Sequence, residues 1–365
     1  MKKLAVATYP GHTIEQMFSR WSPFFAEGIS ERPMYMLKCH LQTRGIELIS
    51  LEEMGSNPNI CEAVLHFTPF CKSILQKYPN LRHIYIASEP SVVLVLHSAV
   101  GIKHIAKNVF DAVITPYHDV KFKNVYNIIY PRGFPCHSLE NETERSTRKL
   151  ACMFAADKYA IGNRDLYAER RKIICAFEKN WPQEFGLYGV NWGEPYKNFS
   201  VYHGPAEDKM EESKQYKFNI CLSNEQGRPG DIDEKIFDAM IAGTVPVYAG
   251  VSDIESFVPM ECFVDYRQFD TPEECIEYLR NMPEETYQAY LNAGQLYIKD
   301  TKTREKFSAK DMADKIQLAC QETELKAHRT ILWLDFYFQL QRVYGKMCGV
   351  QKRIENARAR RYLRE

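Results

Sequence analysis

Between Asn224 and Lys235 the chain reads NEQGRPGDIDEK, and this is where its chemistry-bearing residues crowd together. Asn224 to Gly230 hold two glycines and a proline, a loop signature. From Arg228 to Lys235 there are two cations and three acids, Asp231, Asp233 and Glu234. Lys235 falls in the first turn of an expected helix, where a cation opposes the macrodipole at a cost of roughly 0.3–1 kcal/mol. It therefore needs an anionic partner: Asp231 or Asp233, or the phosphate of a bound nucleotide sugar. Asp231-x-x-Glu234 also has the spacing of a capping box, with Asp231 starting the helix. Far upstream, Glu89 stands between Ser88 and Pro90 at the end of an apolar strand, with Asp111 and Asp119 as alternative carboxylates near the next strand.

The elements around these residues form an alternating pattern. Phe218–Leu222 is a β-rich run before the loop, Ile236, Phe237, Met240 and Ile241 share one helical face after it, and TVPVYAG is a buried-strand run. A strand, a loop and a helix start in series present backbone N–H groups to a ligand, often a phosphate. Upstream, KLAVATY, IELISL, AVLHF, RHIYIASE and FDAVITP read as strands separated by helical or mixed segments, and NIIYPRGFP closes that unit. Strand ends at Pro10-Gly11-His12, Ser88-Glu89-Pro90 and Pro116-Tyr117-His118 are where such a sheet binds ligands. A second alternating unit starts at LACMFAA. The reading is an α/β fold of two Rossmann-like domains, 1–136 and 150–325, joined by a polar linker at 137–149 and followed by a helical, basic tail at 326–365.

Composition narrows the class. Lys+Arg and Asp+Glu both number 47, so no global field attracts nucleic acid. The eleven cysteines show no zinc-like spacing, and their scatter points to a reducing compartment. Met1-Lys-Lys runs straight into a strand, and no apolar run reaches membrane-spanning length. The expectation is a cytoplasmic protein without a metal site. Residues 352–365 hold six cations against two acids. They read as a solvated terminal helix or, with the aromatic residues before them, as a foot on an anionic membrane face.

Tyr216-Lys217-Phe218, Asn224, Glu234-Lys235, Val245-Pro246-Val247 and Gly250 together resemble the signature of glycosyltransferase family ten, the α-1,3/1,4-fucosyltransferases. The likeness continues through SFVPMECFVDYRQFDTPEECIEYL, and Ser88-Glu89-Pro90 sits where that family carries an acidic element after an aromatic strand. The resemblance implies a GT-B arrangement, with acceptor and catalytic base on the first domain and a nucleotide sugar on the second. It implies inverting transfer of L-fucose from GDP-fucose to a hydroxyl of a surface-glycan or lipopolysaccharide-type acceptor, without a further cofactor. Glu89 becomes the general base, Glu234 a partner of sugar or ribose hydroxyls, Lys235 a diphosphate contact and Asn224 a loop or donor contact. Arg164 is favoured over Arg170 and Arg171 as the phosphate-binding arginine of the following helix.

The chain departs from the family at three places. Asp231, Asp233 and Ser223 stand where the family has Tyr, Thr and Glu. Asp231 then enters the donor site as a partner of donor hydroxyl or base N–H groups. These departures keep open another nucleotide-sugar donor, and a non-catalytic sugar-nucleotide or glycan-binding protein is a further alternative.

Overall fold

The computed structural model describes residues 1–8, 11–20, 32–68, 70–134, 147–162, 164–327 and 329–364. Pro10, most of the expected linker (137–146) and the later part of the helix expected from Thr13 to Phe25 lie outside them. The described chain divides into two compact units.

The first unit comprises residues 1–134, 228–231 and 304–343. Its six strands are β1 (Lys2–Ala7), β2 (Ile46–Ser50), β3 (Ala63–Phe67), β4 (Arg82–Ile86), β5 (Ala112–Thr115) and β6 (Val125–Asn127). They form a sheet in the order β2-β1-β3-β4-β5-β6, with every pairing parallel. A parallel sheet is covered on both faces, so its strands read as continuous apolar runs, and β3 and β5 are buried at every position. Helices Pro33–Thr43 and Ala99–Asn108 belong to this unit. So does Lys310–Glu322, whose Met312, Ala313, Ile316 and Ala319 are fully buried in one core with Leu4, Leu65 and Ile84.

That last helix differs from the expected domain boundary, which placed everything from 150 to 325 in the second domain. Its apolar face shows that it must be buried, but a 3.6-residue period does not say against which sheet. The tail at 326–365 is also divided. One helix spans Leu332–Tyr362; Leu334 is buried in a core of the first unit and Ala359 in the core of the second.

The second unit comprises residues 135–227, 232–303 and 344–365. Its strands are β7 (Lys149–Phe154), β8 (Phe185–Tyr188), β9 (Tyr202–Gly204), β10 (Tyr216–Leu222), β11 (Val245–Ala249) and β12 (Val264–Asp265). Their order is β12-β11-β10-β7-β8-β9, again all parallel. The winding reverses between β7 and β10, which makes the carboxyl ends of those two strands the topological switch point where such sheets hold ligands. Both units are thus Rossmann-like, as the alternation of elements implies.

Candidate functional site

Beyond β10, at the switch point of the second unit, the chain turns into the loop that opened the sequence reading. Gly250, just after β11, makes room for it: a Cβ there would stand 2.4 Å from Ser223 Oγ and 2.3 Å from Tyr248 Oη. Gly227 N–H bonds to Gly250 O at 2.8 Å. Ser223 is buried and lies 3.5 Å from the Tyr248 hydroxyl, so the short side chain fits where a glutamate would not without displacing Gly250 or Tyr248. Asn224 is half-buried, and its Oδ1 accepts from Arg170 Nη2 at 3.1 Å. Arg170, on the helix Tyr167–Asn180, also spans the Leu222 carbonyl with Nε at 3.1 Å and Nη2 at 2.5 Å.

The helix after the loop is short, Lys235–Ile241. Asp231 does not cap it. Glu234 occupies the capping position without a capping side-chain bond, and Asp233 Oδ1 accepts the Lys235 N–H at 3.3 Å. Ile232, fully buried, anchors the residues ahead of the helix outside helical geometry, which moves the start beyond the expected capping box. With two turns of helix the dipole contributes little, and side chains dominate the electrostatics.

Those side chains form an ionic cluster. Lys235 Nζ lies 2.9 Å from Asp233 Oδ2 and 3.6 Å from Glu234 Oε1. Lys209 Nζ lies 2.5 Å from Asp238 Oδ2, on the helix Lys235–Ile241. Burial pulls both lysines down, but Asp233 and Glu234 around Lys235, and Asp238 and Glu234 around Lys209, outweigh it and hold both amines above their ordinary range. Burial pushes the Asp238 carboxyl up against the opposing pull of Lys209. Burial also lowers Arg170, while the fields of Asp233 and Glu234 favour its charge. Three cations thus face three acids at the carboxyl end of β10.

Asn224, Glu234 and Lys235 therefore gather in one place, as the sequence suggests. Arg164 borders it: its carbonyl accepts the Gln226 N–H at 2.7 Å, while its exposed guanidinium makes no ion pair among the described residues. Arg170 and Arg171, which a cation-rich helix would place in solvent, are both buried. Arg171 pairs with Asp157 at 3.4 Å, whereas Arg170 belongs to the cluster. Lys209 and Asp238 escaped the sequence reading altogether; they lie 29 residues apart, and no local spacing links them.

The first unit holds the three carboxylates expected as candidates for the base, Glu89, Asp111 and Asp119. Glu89 is exposed, just beyond the carboxyl end of β4, and forms no ion pair among the described residues. Asp111 is excluded as an alternative base. It precedes β5, is buried, and is used up by Arg329 (2.7 Å), His83 N–H (2.7 Å) and Lys326 N–H (2.7 Å). Asp119 pairs with Arg228 at 3.2 Å. Arg228 also donates to the His97 carbonyl at 2.7 Å and lies 3.5 Å over the Tyr117 ring. Asp231, half-buried, ends the stretch 228–231 that is counted with this unit. Gly230, at φ +93°, allows the stretch to lie against Pro116 and His118, where a Cβ would stand 2.2 Å from Pro116 O.

Comparison with known proteins bears on this arrangement. Residues 160–334 match the model of the glycosyltransferase family 10 (fucosyltransferase) C-terminal domain. The chain is 36% identical over 91 residues to the alpha-(1,3)-fucosyltransferase FucT of Helicobacter pylori, covering 25% of this chain and 18% of that protein. It is 25% identical over 135 residues to 4-galactosyl-N-acetylglucosaminide 3-alpha-L-fucosyltransferase 9 of Homo sapiens, covering 34% of this chain and 37% of that one. It thus spans well under half the length of these relatives. In three dimensions it resembles the crystal structure of an alpha1,3-fucosyltransferase with GDP-fucose at a TM-score of 0.54 and 17% identity, over 90% of this chain and 93% of that one. The fold is accordingly of GT-B type, two parallel-sheet Rossmann-like domains. Residues 160–334, where the chain is similar to the glycosyltransferase family 10 C-terminal domain, contain the whole ionic cluster and the loop that precedes it.

Proposed function

We propose that the protein is an inverting fucosyltransferase that moves L-fucose from GDP-fucose to a glycan hydroxyl. The observation that carries this reading is the Arg170–Asn224 and Lys235–Asp233–Glu234 constellation at the switch point of a domain similar to that of family 10. Transfer with inversion needs a carboxylate that takes the acceptor proton as the new C–O bond forms, and cations that hold the diphosphate as it leaves. Glu89 supplies the first; Lys235, Arg170 and Arg164 supply the second. Glu234 bonds donor hydroxyls, Asn224 shapes the loop around the donor, and Asp231 accepts from the donor's hydroxyl or base N–H groups. No cofactor beyond the sugar nucleotide enters this scheme.

The acids that depart from the family pattern do not oppose a diphosphate as strongly as their count suggests, because Asp233 is already paired with Lys235. The test is direct. The purified protein is mixed with GDP-fucose, other GDP-sugars and UDP-sugars, and nucleoside diphosphate release and ligand-induced stabilisation are followed. GDP-fucose should stabilise most and turn over with a 4-galactosyl-N-acetylglucosaminide or a related surface glycan. Equal response to all donors, or preference for a UDP-sugar, overturns the fucosyl reading.

We further propose a cytoplasmic location with peripheral attachment to a membrane face, where a lipid-linked or lipopolysaccharide-type acceptor is assembled. No helix among the described residues is long and apolar enough to cross a membrane. On the helix Leu332–Tyr362, however, Phe336, Val343, Met347, Val350 and Ile354 are exposed at spacings that share one face. Arg342, Lys346, Arg353 and Arg360 line one edge of that face and are exposed, the pattern of a helix lying in an anionic interface. Co-sedimentation with phosphatidylserine vesicles but not with phosphatidylcholine vesicles is expected, and equal binding to neither removes the membrane from the proposal.

A further inference from the structure

We infer that His97 is a positioning residue for Glu89, held in place by Tyr85 and Arg228; the inference rests on reading Glu89 as the base. The argument starts from a buried side chain that otherwise has no reason to be polar. His97 has no exposure, yet both ring nitrogens are engaged. Nδ1 lies 2.5 Å from the Glu89 carbonyl and Nε2 lies 2.7 Å from the Tyr85 hydroxyl. A carbonyl can only accept, so Nδ1 carries the proton and Nε2 accepts from Tyr85. The Tyr85 hydroxyl lies 3.0 Å from Thr68 Oγ1, which donates to the Ile86 carbonyl at 3.0 Å. All of these groups are buried, so the ring has one tautomer and one orientation.

The third anchor is Arg228, 4% exposed, from the glycine-rich loop. Its Nη1 donates to the His97 carbonyl while Nε meets Asp119, so the backbone as well as the ring of His97 is fixed. What the ring then fixes is the backbone of Glu89. The residue precedes Pro90, which already confines it to extended geometry, and the Nδ1 bond sets the direction of its carbonyl. An exposed carboxylate on a flexible stem is useful as a base only if its stem is aimed, and a misplacement near 1 Å can cost about 100-fold in rate.

Two substitutions at His97 separate aiming from simple filling of space. In His97→Asn the amide nitrogen stands as far from Cβ as Nδ1 does and can donate to the Glu89 carbonyl. In His97→Gln the polar group reaches the place of Nε2, keeping Tyr85 and losing Glu89. Turnover of GDP-fucose with a 4-galactosyl-N-acetylglucosaminide is measured beside Glu89→Gln. We expect His97→Asn to hold kcat within about threefold and His97→Gln to lose about 10- to 100-fold, with the KM for GDP-fucose unchanged in both. Tyr85→Phe, which leaves the ring volume in place, should lower kcat severalfold at unchanged KM. Equal kcat for the Asn and Gln variants, or a Tyr85→Phe enzyme that matches the parent, overturns the inference even when Glu89→Gln abolishes turnover. A Glu89→Gln enzyme that still turns over overturns instead the reading of Glu89 on which it stands.

Discussion

The two units solve the problem of buried polarity in opposite ways. In the second, polar groups beside the sheet are ions held in pairs: Lys235 with Asp233, Lys209 with Asp238, Arg171 with Asp157. In the first they are mostly neutral rings in directed chains. His83 Nε2 donates to the Tyr78 carbonyl at 2.8 Å, which leaves Nδ1 to accept from His66 at 2.8 Å, and Tyr85 and His97 repeat the pattern. The difference matches the two tasks assigned to them. A diphosphate is met by cations that can exchange one anionic partner for another, whereas a general base is served by a scaffold that carries no competing charge and fixes direction. Arg228–Asp119 and Arg329–Asp111 are charged exceptions among the described residues of the first unit.

The largest effect should come from Glu89, exposed just beyond the carboxyl end of β4. Glu89→Gln keeps the shape and removes the proton acceptor, so kcat should fall by about 10²- to 10⁴-fold while GDP-fucose still stabilises the protein against heat. Loss of donor binding together with turnover would place Glu89 in the donor site and erase the division of labour between the units.

Next comes the cationic side. Arg170→Met removes the guanidinium that spans the Leu222 carbonyl and Asn224, leaving buried acceptors unpaired at a cost of about 1–3 kcal/mol in stability. GDP affinity should fall by about tenfold or more as Asn224 loses its orientation. Calorimetry with GDP reads the second effect and thermal unfolding the first. Unchanged GDP affinity would show that Arg170 serves the fold alone, and that Arg164 and Lys235 suffice for the diphosphate.

Which parts of this contrast are legible in the sequence follows from what each residue's neighbours are. The parallel sheets are legible because β3, β4, β10 and β11 are buried almost throughout and therefore read as apolar runs. β6 and β9, three residues each at a sheet edge and without buried positions, carry no such signal. Asn224, Glu234 and Lys235 stand within one motif and are legible together. Arg170 is obscured because its helix also carries Glu169, Arg171 and Lys172 and so looks solvated. The pairing of Lys209 with Asp238 and that of Arg228 with Asp119 are products of tertiary structure, and nothing within a helical turn of either announces them. Asp231 illustrates the reverse error: a correct capping spacing is overruled by the burial of Ile232.

Acid should separate the units next. Burial, reinforced at His83 and His97 by nearby arginine charge, lowers both rings to about 4, and burial takes His66 well below its ordinary value. A ring whose pKa is depressed on folding contributes stability above its unfolded value near 6.5 that is lost as pH falls toward the folded value. In the second unit burial raises Asp157, Asp165 and Asp238, so their protonation on acidification does not oppose the folded state. Hydrogen exchange between pH 6.5 and 4 should therefore accelerate first in β3, β4 and β5. Simultaneous acceleration in β7, β10 and β11 would show that the histidine chains do not set the acid limit.

The smallest effect tests the contrast at equal geometry. Lys72–Asp335 in the first unit and Lys209–Asp238 in the second have the same 2.5 Å separation. Asp335 is 48% exposed, whereas Asp238 is 18% exposed and lies among other ions. Water and salt screen the first pair, so a double-mutant cycle should give it about 0.2–1 kcal/mol, and less in high salt. The second pair loses less to screening but must offset a larger desolvation cost, and removal of Lys209 alone leaves Asp238 partly buried with its neighbours Glu234 and Asp233 acidic. Lys209→Met should therefore destabilise by more than the exposed pair is worth and depend little on salt, and Asp238→Asn in the same chain should recover part of that loss. Equal coupling energies and equal salt dependence in the two cycles would mean that the cluster beyond β10 is as well solvated as an ordinary surface, and a diphosphate bound there would gain no advantage over one in water.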